Sequence, residues 1–113
     1  MNKVEAIIRP ERLSAVISAL AEEGFPGLNI SNVTGRGAQR GLTHVGRGGA
    51  TYVVDMLPKV KLEAVVSNAD TQKVVDIIIS HARTGEIGDG KIFIIPVSNA
   101  IRVRTGESGD SAL

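Results

Sequence analysis

The chain contains no cysteine and no tryptophan. The first absence excludes disulfides and thiolate metal sites. The second, with a single tyrosine and two phenylalanines, leaves few rings on which nucleic-acid bases could stack. An excess of one charge is also missing: 13 Lys and Arg stand against 12 Asp and Glu, a net charge of +1. Bulk electrostatics therefore does not point to nucleic acid as a partner. No apolar run approaches the ~20 residues of a membrane-spanning helix, and the N-terminus lacks a secretory signal pattern. No direct membrane insertion and a cytoplasmic location are expected. The two histidines, His44 and His81, fall in no metal-ligand spacing; the plain readings are a solvated loop side chain and a helix C-terminal residue favoured by the dipole.

What is present suits one small domain over residues 1–113. Its core must come from Ile, Val, Leu and Ala. Lys3 to Arg9 alternates, with Val4, Ala6 and Ile8 on one face, which predicts a strand. Pro10 stands where a helix would start, and Leu13, Val16, Ile17 and Leu20 follow helical spacing up to Gly24. Leu28 to Thr34 reads as a second strand and Lys59 to Val66 as a third. Ser67 to Asp70 resembles a capping box, and Val74, Val75, Ile78, Ile79 and Ala82 form the stripe of a second helix. Lys91 to Pro96 is the last long strand, with a shorter extended piece expected at Ile101 to Arg104 and a mobile tail from Glu107. The order β-α-β-β-α-β predicts an α+β, ferredoxin-like fold, an antiparallel sheet with two helices on one face. Ile7 and Val65 are apolar on the face that should be solvated, and a subunit interface would explain them.

Two stretches suggest ligands. Gly85, Gly88 and Gly90 precede Lys91, and backbone N–H groups in such a turn can form an anion nest. Arg102 and Arg104 sit two apart, so an extended segment would point both guanidiniums to one side, suited to phosphate. Alone, the glycine loop favours the reading of a solvated turn; joined to the arginine pair it reads as a phosphate site. The second stretch, Gly35 to Pro58, holds six glycines and three arginines, Arg36, Arg40 and Arg47. It is too long for an ordinary connection and reads as functional or disordered.

ARTGEIGDGKIFIIPV with IRVRTGE, KVEAIIRPERL and YVVDMLPKVKLEAVV resemble the signature segments of PII signal-transduction proteins. The resemblance covers nearly the whole chain and is weakest between Arg36 and Thr51. It implies a homotrimer whose sheets face one another around the three-fold axis. It assigns residues 36–57 as a long regulatory loop between strands 2 and 3, 84–91 as the phosphate-binding loop and 98–113 as the C-terminal segment. Nucleotide, ATP or ADP, would lie between subunits. Gly88, Asp89, Gly90, Lys91, Arg102 and Arg104 would meet its phosphates. Ile7, Gly35, Val65 and Ile87 would line the adenine and ribose region, and Arg36, Gly37, Ala38 and Gln39 complete the nucleotide set. Gln39 would meet Mg²⁺, and Gly37, Gln39, Arg40, Gly41 and Lys59 would hold 2-oxoglutarate, with Lys59 on its distal carboxylate.

Ala38 departs from the family, where many members carry a basic residue. The loop tip departs further: His44 replaces an acid and Gly46 a tyrosine. Tyr52 is the candidate for the uridylylation seen in some members, beside the plainer reading of a structural tyrosine opening the third strand. The resemblance implies regulation of an ammonium transporter, of nitrogen-assimilation enzymes or of a nitrogenase-regulating system. Ala38 and the altered tip leave open a divergent sensor of ADP or AMP, without 2-oxoglutarate, acting on another transporter. An enzyme is the third reading, with Asp89 or His44 as its base. No paired carboxylates flank the basic set, so no enzyme is expected.

Overall fold

The computed structural model describes residues 1–36, 43–45, 51–53 and 56–113, with side chains described for 1–36 and 56–113. Its long elements follow the alternation in the sequence. Strand β1 is Asn2–Ile8, helix α1 is Leu13–Glu22 and strand β2 is Asn29–Arg36. A separate hairpin pairs β3 (Thr43–Val45) with β4 (Thr51–Val53). Strand β5 (Met56–Val66), helix α2 (Thr71–Ala82) and strand β6 (Gly90–Pro96) complete the set.

The main sheet has the order β2-β5-β1-β6 with antiparallel neighbours. With the β3–β4 hairpin set aside, this is the expected ferredoxin-like arrangement. Pairs such as Val4↔Ala64 and Ala6↔Ile92 put the apolar sets of three strands on one face. Both helices cover that face. Val4, Ala6 and Leu62 are fully buried against Val16, Leu20, Val74 and Ile78. Each Val, Leu or Ile side chain among them contributes about 1.5–3 kcal/mol on burial. The opposite face carries a charge ladder, in which Lys3 lies 3.5 Å from Glu63 and Lys61 lies 3.5 Å from Glu63. Beside the ladder sit Val65, Phe93 and Ile95, which are 36%, 46% and 38% exposed. Val65, expected to be apolar on the solvated face, is thus one of several uncovered apolar groups there, whereas Ile7 is half-buried between Lys61 and Lys91.

The turns follow local chemistry. Gly24, at φ +88°, ends α1, and Phe25 N donates to Leu20 O at 2.8 Å, as a left-handed C-terminal glycine allows. Ser67 Oγ accepts from Asp70 N at 3.3 Å, so the expected cap forms, with a 3-10 turn at Asn68–Asp70 leading into α2. Pro10 likewise opens a 3-10 turn, Pro10–Arg12, ahead of α1. Strand β5 starts at Met56, three residues before the expected Lys59.

Two expectations fail at the C-terminus. The piece from Ile101 to Arg104 is not an extended strand. Ile101 makes one isolated bridge to Ser108, and residues 103–105 form a turn closed by Gly106 N donating to Arg102 O at 2.8 Å. Gly106, at φ +73°, permits it. Arg102 and Arg104 therefore do not share a side by strand parity. The tail is ordered as well. Gly109 N donates to Ala100 O at 3.1 Å and to Asn99 Oδ1 at 2.9 Å, and Gly109–Ala112 makes a 3-10 turn. Local hydrogen bonds, invisible to composition, hold this segment.

Candidate functional site

The loop between α2 and β6 is built around Asp89. Its Oδ2 accepts from Thr84 N and Gly85 N, each at 2.9 Å. Its Oδ1 accepts from the Thr84 hydroxyl and, at 3.1 Å, from Arg9 Nε. Arg9 Nη2 also donates to Ile87 O at 2.9 Å. The Thr84 hydroxyl hydrogen bond, the backbone N–H groups of Thr84 and Gly85 and the Arg9 guanidinium hold the Asp89 carboxyl well below the usual carboxylate range. The nest expected for a ligand anion is thus partly filled by an anion of the loop itself.

Gly85, Gly88 and Gly90 have φ of +90°, +104° and +103°. Gly90 is also confined in space: a Cβ there would lie 1.7 Å from Ile7 O. The loop is therefore pressed against β1 at the pair Ile8↔Gly90. Lys59, only 8% exposed, reaches under it, and Nζ donates to Gly88 O. Burial, with the nearby Arg9 charge, lowers the Lys59 ammonium below the ordinary lysine value, while Glu11 and Asp89 oppose that shift. Gly35 stands beside the Lys59 stem, where a Cβ would be 3.5 Å from Cγ.

The residues singled out in the sequence fall into two groups. Ile7, Gly35, Lys59 and the loop from Ile87 to Lys91 gather at one end of the sheet. Ile7 faces Lys61 and Lys91 in register, and Ile87 and Lys91 are exposed. Val65 faces Lys3 at the other end. Arg102 and Arg104 belong to the segment that leaves β6 after Pro96, paired to Asn2. The seven residues of β6 separate the ends by about 20 Å at ~3.3 Å per residue. Arg102 bonds within its own segment, to the backbone oxygen of Leu113 at 3.3 Å and beside Glu107 Oε1 at 3.6 Å. A cavity of about 340 Å³ opens there between Asn29, Glu63, Val65 and Leu113. The two groups of candidate residues, a loop half and an arginine half, thus lie toward opposite ends of the sheet.

Gly37, Ala38, Gln39, Arg40 and Gly41 lie outside the described residues, as do the side chains of His44 and Tyr52. By backbone register, Tyr52 is the middle residue of β4, opposite His44. Arg36 ends β2. His81 Nδ1 lies 2.9 Å from Ile77 O near the end of α2. Among the described residues, no group of three His, Asp or Glu could hold a metal ion, and no helix is long and apolar enough to cross a membrane.

Arg9 and Thr84 were not singled out in the sequence. Arg9 is 80 residues from Asp89, and only the β1–β6 pairing makes them neighbours. Thr84 and Asp89 are five apart, so a Thr-Gly followed by Asp could have been read as a side chain closing its own turn.

Comparison with known proteins places the chain as a whole. The family model described as Nitrogen regulatory protein P-II matches residues 1–107. A Nitrogen regulatory protein P-II of Cereibacter sphaeroides is 51% identical over 113 residues, the full length of both chains. The Nitrogen regulatory protein P-II 1 of Escherichia coli K12 is 50% identical over the full length of both. The crystal structure of Arabidopsis thaliana PII bound to citrate superposes with a TM-score of 0.81 at 46% identity, covering 99% of this chain and 91% of that one.

Proposed function

The chain belongs to the nitrogen regulatory protein P-II family, a family of signalling proteins rather than enzymes, and we propose that it works as a homotrimer sensing ATP, ADP and 2-oxoglutarate. The observation that carries this reading is the division of the site. The loop half and the arginine half sit at opposite ends of one sheet, so one chain cannot close both on one nucleotide. A second copy supplies the missing half. The uncovered strip at Val65, Phe93 and Ile95 is where sheets of neighbouring copies would meet, and cyclic assembly completes every site alike.

In the assembled site, Lys91 and the loop N–H groups of one chain face the β- and γ-phosphates, with Arg102 and Arg104 of the next beside them. Ile7, Gly35, Ile87 and Val65 line the base and ribose. Mg²⁺ would take most of its ligands from phosphate oxygens and water, with Gln39 as the protein's contribution. Lys59 then meets a carboxylate of 2-oxoglutarate by leaving the Gly88 carbonyl. The citrate reported with the Arabidopsis relative is a polycarboxylate, in keeping with a carboxylate effector here.

The stretch expected as a 36–57 loop is narrower in the fold, because Arg36 ends β2 and Met56 opens β5; each ligand favours the conformer of the 37–55 segment that it contacts differently. That loop would carry the signal to a nitrogen-metabolism target in the cytoplasm, either an ammonium transporter or an assimilation or nitrogenase-regulating protein. Light scattering with nucleotide titration tests the assembly. Three protomers and three ATP sites per particle are expected. A monomer that still binds ATP tightly refutes the divided site.

A further inference from the structure

We propose that Arg9, Thr84 and Asp89 form an internal clasp that sets the phosphate loop in its binding shape, so that Asp89 acts as a positioning residue and not as a ligand contact. The inference rests on the reading of the 84–91 loop as the phosphate site. It is carried by the direction of the bonds. Both Asp89 oxygens are engaged inward: Oδ2 by Thr84 N and Gly85 N at 2.9 Å, Oδ1 by the Thr84 hydroxyl and by Arg9 Nε at 3.1 Å. The Thr84 hydroxyl closes the ring by accepting from Glu86 N at 3.1 Å. Arg9 holds the far side of the loop through Ile87 O at 2.9 Å. The carboxylate neutralises donors that would otherwise pull the first turn apart. The N–H groups beyond it and Lys91 remain for the ligand. Charge-assisted bonds of this kind are the strong ones, and preorganisation lowers the cost of binding.

The clasp gives a sign that plain electrostatics does not. Removing a carboxylate beside a polyanion site strengthens binding if charge alone matters. Removing a clasp weakens it. Asp89→Asn, Thr84→Val and Thr84→Ser are compared with the unchanged full-length protein by calorimetric titration with MgATP. Amide hydrogen exchange of residues 84–88 is followed without ligand. Asp89→Asn and Thr84→Val should weaken ATP by roughly ten- to a hundredfold, the scale set by losing one or two charge-assisted bonds. Exchange of the 84–88 amides should rise while that of β1 and α2 is unchanged, and Thr84→Ser should restore both readouts. Tighter ATP binding by Asp89→Asn, or weaker binding with unchanged exchange of the free loop, overturns the proposal and makes Asp89 a spectator or a ligand contact. If Asp89→Asn does not fold, Thr84→Val with its Ser rescue decides alone. If the unchanged protein binds no ATP, the phosphate-site reading fails. The exchange measurement still tells whether the clasp exists.

Discussion

Replacing Gly90 by alanine tests how tightly the loop is bound to the sheet. Two costs add. The residue sits at φ +103°, where an L side chain costs about 1–3 kcal/mol. Its Cβ would also lie 1.7 Å from Ile7 O and 2.8 Å from Ile7 C. These are backbone atoms of a central strand and cannot step aside like a side-chain tip, so overpacking adds about 1–3 kcal/mol more. Gly24 is the matched control: φ is +88° and nothing lies within 4 Å of its Cβ. Gly24→Ala therefore meets only the first cost. Urea unfolding at fixed protomer concentration reads the difference. With a slope of about 1–3 kcal/mol per molar, an added cost of about 1–3 kcal/mol means that Gly90→Ala should lower the midpoint by roughly 0.3–3 M beyond Gly24→Ala. It should also weaken ATP, because the loop must lift from β1. Equal midpoints for the two variants would refute the argument that the 90–7 contact confines the loop.

Three further outcomes follow from the same geometry. Leu62→Ala, which empties a fully buried position between β1 and the helices, should cost about 2–5 kcal/mol by chemical denaturation. Asp89 has a depressed folded value, so its stabilisation is present above the unfolded carboxylate value near 4 and is lost as pH falls through the lower folded value. The thermal midpoint of the unchanged protein should therefore drop more steeply below about pH 4 than that of Asp89→Asn; parallel curves would contradict this. Lys59→Met should leave ATP binding within a few-fold and weaken 2-oxoglutarate by roughly thirtyfold or more, the usual cost of losing one partner of a buried charged pair, as calorimetry on the MgATP-loaded protein would show.

The sequence made the fold legible wherever burial imposed a period. Alternation at Val4, Ala6 and Ile8 and the stripe from Val74 to Ala82 are direct consequences of one covered face. The turn of the candidate loop was legible for a related reason: glycines at positive φ leave a mark in composition, as at Gly88 and Gly90. The partners of Asp89 were not legible, because Arg9 is brought to it only by strand pairing. Nor was the inward use of its carboxylate, since an aspartate in a glycine loop looks the same whether it faces a ligand or its own turn. At the C-terminus, the arginine spacing in IRVRTGE predicts strand parity, but Gly106 at φ +73° turns the chain instead.

The proposed division of the site between copies, and the proposed role of Lys59, which bonds to Gly88 O, are tested together by titrating 2-oxoglutarate into the protein with and without saturating MgATP. Binding is expected only in the presence of MgATP, at up to three sites per particle. Equal binding without nucleotide, or none in either condition while ATP itself binds, would contradict it and separate Lys59 from effector recognition.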